Sequence, residues 1–362
     1  MLFPYLLALA AAMTAPATQP QPVTVTVAPT RVLLEERAGS RLNFDFQVQA
    51  GTDSLWLQKV EVSVYDKTGA LVVRKFVDNN GFSPSVQSLS HRVFAPGQPA
   101  LVFNPFHTFS ADIDVARLRY TFEFQTSKRA EVTQTVDVKP ERYQPKAALT
   151  IPVAGRLLIW DGHDEHAHHR RLDFRHPVAQ QFGIQSNFMR YAHDFVVVNE
   201  QGEKHTGDGK KNTDYFGFNL PVQAPAAGRV AAVYAQQPDN DNGQDFFNPQ
   251  EMVGKDPLLL YGNYVVIDHG QGEFSLMGHL RQGSVQVKVG DQVRAGQVLA
   301  KVGSSGSSYF PHLHYELRTG PALNVEGLPA YFRKFRLLRG SQSRPVAQGA
   351  LDSGDIVLQE GK

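Results

Sequence analysis

The chain has 362 residues, a formal net charge of +1 and no cysteine. That length suits about two domains, and the near-neutral charge excludes an electrostatic case for nucleic acid or an anionic membrane surface. Without cysteine there are no disulfides, thiolate nucleophiles or thiolate metal sites, so any metal must be held by histidine, aspartate or glutamate.

The opening stretch, MLFPYLLALAAAMTAPATQ, is too short in its apolar run to span a bilayer but suits a signal-peptide core. Ala15 and Ala17 make an A-x-A-like cleavage site. Residues 1–20 therefore read as a signal peptide and the protein as exported, to a periplasm or the exterior. No later segment reads as a stable membrane span.

Residues 18–30 are rich in Pro, Thr and Gln and run as a linker into a first strand, VTVTV. From there the pattern is repeatedly period two, the strand signature. RLNFDFQVQA places Leu42, Phe44, Phe46 and Val48 on one face. KVEVSVYD does the same with Val60, Val62 and Val64, and RLRYTFEFQ with Leu118, Tyr120, Phe122 and Phe124. Short alternating strands separated by turns such as DKTG predict an immunoglobulin-like β-sandwich over 23–142. His91 and His107 stand alone there and read as structural.

KPERYQPKAALTIP marks a boundary near 140–152, followed by a second strand-rich region over 150–338. Within it, VQAPAAGRVAAV (222–233) and VKVGDQVRAGQVLAKVG (287–303) echo each other. Both look like half-repeats of a barrel-sandwich hybrid, a Gly turn feeding a short strand of small and β-branched residues. A carrier domain would need a modifiable lysine at a hairpin tip, and none is evident. The fold class is all-β throughout. Residues 340–362, rich in Gly, Ser and Gln, read as a flexible tail.

Eleven of the 13 histidines fall in the second region. Five lie between 163 and 176: His163, His166, His168, His169 and His176. His193 abuts Asp194, His279 sits in FSLMGHL, and His312 and His314 sit in PHLHYEL. As a strand, that last segment aims both imidazoles at one face, about 6–7 Å apart. Such a pair suits a catalytic zinc, which takes three protein ligands, keeps a position for water and lowers that water's pKa to about 7. An imidazole titrating in the same range can move the proton.

GSSGSSYFPHLHYEL, FSLMGHL, VKVGDQVRAGQVLAKVG, YGNYVVIDHG and VQAPAAGRV together resemble the lysostaphin-type (LytM-like) zinc metallopeptidases. The resemblance covers roughly 155–338 and implies the duplicated hybrid motif fold. It implies Zn2+ as cofactor, His314 and Asp194 as metal ligands, and His279 and His312 in the catalytic roles. The family's usual H-x-x-x-D motif is broken, because Arg190 stands four residues before Asp194. DEHAHHRRLDF, RYAHD and EGLPAYFRKF resemble a side branch of the family, which makes His169 the first choice for the third ligand, ahead of His168 and His193. His193 would point away from Asp194's face of a strand. The implied function is an exported zinc metalloendopeptidase acting on stem or cross-bridge peptides of peptidoglycan. The alternative is an inactive LytM-like module that activates wall amidases. His269 reads as a turn residue, and the insert 236–249 as a loop bordering the cleft. Tyr309 and Phe310 read equally as a cleft wall or as packing.

Overall fold

The computed structural model describes residues 22–240 and 255–361. The signal-peptide reading of 1–20 and residues 241–249 of the insert lie outside the described residues. Among the described residues the only α-helix is the five-residue Pro177–Gln181, and no helix is long and apolar enough to cross a membrane.

In the first half, alternation decides what is buried. Strands Val23–Ala28, Asp45–Ala50 and Ala100–Phe103 form one antiparallel sheet. Glu131–Val138, Arg117–Thr126, Leu55–Tyr65 and Leu71–Asp78 form a second, in that order. The inward rows (Phe44, Phe46 and Val48; Val60, Val62 and Val64; Tyr120, Phe122 and Phe124) share one core at 1% exposure or less. Phe46 bridges the two sheets, its ring 4.7 Å from Tyr120 and 4.9 Å from Phe122.

The second half is built on one large sheet with its own core. Through its middle run Asn263–Asp268, Phe274–Leu280, Leu313–Arg318, His193–Val197 and Gly155–Asp161, each antiparallel to the next. A third apolar cluster joins the halves, packing Leu101 and Phe103 against Phe174, Phe188 and Tyr261.

Residues 340–361 are not a flexible tail. Gln342–Gly349 pairs with Phe332–Arg339, and Ile356–Gln359 inserts between Phe332–Arg339 and Gly155–Asp161. Leu351 and Val357 are buried in the second core. One of this last strand's two partners lies some 200 residues earlier in the chain (Gly155 opposite Gln359), a pairing that no local pattern announces. Gly162 is squeezed against this segment: a Cβ there would lie 2.7 Å from the Ser353 backbone nitrogen.

The terminal segment should therefore contribute to stability. Leu351→Ala is expected to destabilise the protein by about 2–5 kcal/mol, the usual cost of a large-to-small change in a core. A denaturant midpoint unchanged from wild type would contradict this burial.

Candidate metal centre

The site begins with a strand register. His193–Val197 pairs with Leu313–Arg318 so that Asp194 stands opposite His314. Cross-strand partners share a face with their Cβ atoms about 5 Å apart. Here the side chains meet: His314 Nδ1 lies 3.0 Å from Asp194 Oδ1. On its other edge, Leu313–Arg318 pairs with Phe274–Leu280, and Gly278 stands opposite His314.

His279 would face away in a regular strand, because neighbours alternate. Its φ of +57° turns it inward, a conformation that is uncommon for a side chain larger than glycine and more frequent for histidine than for most. The ring comes within 4.8 Å of the His312 ring and 5.6 Å of the His314 ring, centroid to centroid. Its Nδ1–H donates to Ser305 O at 2.8 Å, which aims Nε2 at the other imidazoles. His312 Nδ1–H likewise donates to Phe310 O at 2.8 Å, and its Nε2 sits 3.5 Å from Asp194 Oδ1.

GSSGSS is a built turn. Asn263 N donates to Ser305 Oγ, and Ser305 Oγ donates to Leu280 O. Gly262 and Gly306, with φ of +62° and +73°, pass so closely that a Cβ on Gly306 would lie 2.2 Å from Gly262 N.

His169 arrives from the irregular segment before Pro177–Gln181. Its Nε2 lies 3.8 Å from Asp194 Oδ2, and its ring centroid 4.7 Å from that of His314. The donor atoms of His169, Asp194 and His314 all fall within 4.8 Å of one another, and all three residues are buried. Three donors at that spacing can take one cation. The remaining imidazole nitrogens are backed by carboxylates. His314 Nε2 donates to Glu316 Oε1 at 3.0 Å, and His169 Nδ1 faces Asp161 Oδ2 at 2.7 Å. Carboxylate backing of this kind is typical of metal-ligating histidines, and the donor set of two imidazoles and one carboxylate suits zinc.

The electrostatics match. Burial alone would raise Asp194, but His169, His312 and His314 hold it well below the usual carboxylate range. Burial alone would lower His314, yet hydrogen bonds with Asp194 and Glu316 raise it to about 9. Burial pushes His169 down and His279 well down, the latter helped by His312 and His314, so both are neutral with a lone pair to offer.

The other histidines go elsewhere. His193 is fully buried on the far face, its Nε2 3.2 Å from Leu351 O and its ring against Phe195 and Phe332. His168 is exposed, its Nδ1 3.2 Å from Asp161 Oδ2. His269 bridges Ala227 O and Ser275 Oγ. Arg190 turns away from the site to Asp45 of the first domain, at 2.6 Å. Sequence reasoning missed Glu316 and its partners Tyr261 and Arg318, which hold its two oxygens at 2.6 and 3.1 Å. The signal was present, since Glu316 and Arg318 continue the period-two face of His312 and His314. That face is buried, not solvated. Asp161 had no local signal.

Around these residues is a cleft of about 510 Å³, walled by Trp160, Tyr309 and Phe310. Lys204 Nζ sits over the Trp160 and Phe310 rings.

Residues 210–325 match the model of peptidase family M23. The chain carries an M23 domain. The match takes in His279, His312 and His314 but begins after His169 and Asp194. The chain is 51% identical over 72 residues to the murein hydrolase activator EnvC of Escherichia coli, covering 20% of this chain and 17% of EnvC. It is 47% identical over 58 residues to the DD-carboxypeptidase/endopeptidase Mpg of Neisseria meningitidis, covering 16% and 13%. The chain thus spans less than a fifth of these relatives' length. The catalytic domain of lysostaphin from Staphylococcus simulans aligns at 22% identity over 40% of this chain and 79% of that one, with a TM-score of 0.24.

The raised His314 sets a pH dependence. Its folded value of about 9 exceeds its ordinary 6.5. In metal-free protein its contribution to stability is therefore complete below pH 6.5 and lost as pH rises through about 9. NMR titration of the imidazole should find the raised value, and Glu316→Gln should lower it by removing an accepting charge. An unmoved titration would show that Glu316 does not hold this ring.

Proposed function

We propose that this chain is an exported zinc metalloendopeptidase that cleaves peptide bonds in peptidoglycan stem or cross-bridge peptides. The observation that carries this reading is the convergence of two carboxylate-backed imidazoles and one carboxylate beside two further imidazoles with inward-facing Nε2 atoms. His169 Nε2, Asp194 and His314 Nδ1 would hold the ion. Zinc there supplies a Lewis acid and a nucleophile at neutral pH.

The remaining work falls to the protein. Asp194, held ionised, supplies the negative charge that a cation needs. His279, neutral and fixed by Ser305 O, is suited to take a proton from water. His312, fixed by Phe310 O through Nδ1–H, presents Nε2 to the site, and once that nitrogen is protonated it can donate a hydrogen bond to the oxyanion that forms as the carbonyl is attacked. Strands and a packed turn hold both rings, so little reorganisation precedes reaction. The aromatic wall gives an extended peptide an apolar surface beside the site.

The similarity to EnvC favours a second reading, a LytM-like module that activates wall amidases. Against it stands the complete donor set, which a module acting by docking alone does not need.

Purified protein is expected to carry about one zinc per chain, as three protein ligands with an open position imply. His314→Ala, Asp194→Ala and His169→Ala should each lose it, while His168→Ala and His193→Ala keep it. The zinc-loaded protein should release peptide fragments from peptidoglycan, and His279→Ala should abolish release while retaining metal. A metal-free protein that nonetheless stimulates an amidase would establish the second reading instead.

A further inference from the structure

Two of the three donors sit on paired strands, whose ladder fixes their backbone. His169 does not, because it lies in an irregular stretch between the strand Gly155–Asp161 and the helix Pro177–Gln181. On its N-terminal side that stretch is held by Asp161, whose carboxylate accepts from the backbone nitrogens of His168 and His169, each at 3.0 Å. On its C-terminal side the buried Asn187 Nδ2 donates to Arg170 O at 2.8 Å, and a second hold runs from the Arg170 side chain into the other domain.

Arg170 is fully buried. Its Nη1 lies 2.8 Å from Asp45 Oδ1, an ion pair without an aligned hydrogen bond, and its Nη2 donates to Phe44 O at 3.1 Å. The same Asp45 takes Arg190 Nη1 on its other oxygen. Asp45 is wholly buried although it alternates with the core residues Phe44 and Phe46 of the first domain. Its face of the strand is closed by the second domain, not by water. Glu165 and Glu326 stand 3.6 and 3.7 Å from the two guanidiniums. The segment is tied to the first domain at further points: His163 lies 3.5 Å from Glu35, and Arg175 Nε donates to Gln47.

Buried charge clusters are weak sources of stability, because desolvation offsets most of the attraction. What this one provides is position. One carboxylate of the first domain fixes the guanidinium next to His169. It also fixes Arg190, which stands where the family's usual motif has its histidine. We propose that Asp45 is a positioning residue of the metal centre. On this proposal the first domain completes the site by holding the His169 segment through Arg170. The proposal rests on the zinc reading of His169, Asp194 and His314.

The test uses the full chain. Zinc affinity is measured by chelator competition, and coordination by the visible absorption of the cobalt(II)-substituted protein. Asp45→Asn should weaken zinc binding by about tenfold or more, the scale seen when supporting groups of metal ligands are lost. It should also alter the cobalt spectrum. Val62→Ala, a cavity in the first domain's core away from the interface, should lower the melting temperature and leave zinc affinity and the cobalt spectrum unchanged. If Asp45→Asn does not fold, Asp45→Asn with Arg170→Met removes the ion pair as a unit and should fold with the same weakened affinity. Wild-type affinity in either Asp45 variant overturns the proposal, as does an equal loss in Val62→Ala. A wild-type chain that takes up no zinc overturns the metal reading itself, so the two failures are distinguishable.

Discussion

Asp194 and His314 face each other because two strands far apart in the chain pair in one register, and the rest of the site is arranged around that pairing. A slip by one residue would exchange the faces of every side chain on the strand and put His193 where Asp194 stands. The residues that prevent it are apolar and fully packed. Phe195, Leu313 and Tyr315 point into the core from the opposite faces of the same strands at 1% exposure or less. The hydrophobic rows are thus the reason a carboxylate and an imidazole are held together away from water.

That arrangement carries an electrostatic cost, and the site shows how it is met. Asp194, Glu316 and Arg318 are all buried. An unpaired buried charge is strongly unfavourable. Each here has a partner: Arg318 on Glu316, Glu316 on His314, His314 on Asp194. The chain of contacts alternates in sign and ends at the point where the donor atoms converge. It also orients His314, because Nε2 is committed to Glu316 and only Nδ1 remains for a metal.

What could be read from sequence follows the range of the interaction. Period-two rows found the inward faces of the first domain and the shared face of His312 and His314, because alternation is a local signal. The resemblance in GSSGSSYFPHLHYEL and FSLMGHL pointed to His279, whose inward turn depends on a backbone angle that no alternation pattern contains. Asp161 and Asp45 were missed for different reasons. Asp161 holds backbone nitrogens only seven and eight residues on, but in an irregular stretch that follows no period, whereas Asp45 acts from another domain. The terminal strand Ile356–Gln359 failed as a sequence reading because its Gly- and Ser-rich flanks resemble a loose end, while its ordering comes from partners elsewhere in the sheet.

Position 190 ties these threads together. A histidine four residues before Asp194 would draw its geometry from the same short segment and would need nothing from the rest of the molecule. With arginine there, the side chain becomes an anchor on Asp45, and the third imidazole comes from a segment with no ladder of its own. On the zinc reading, the metal centre would draw on two cores, the sheet that carries Asp194 and His314 and the interface that holds His169. Binding free energies are reciprocal. Whatever the docked first domain adds to the affinity for a cation, a bound cation returns to the docking of that domain. Two domains joined by a buried cluster of charges, individually poor contributors to stability, would in this way be held more firmly once the ion is in place.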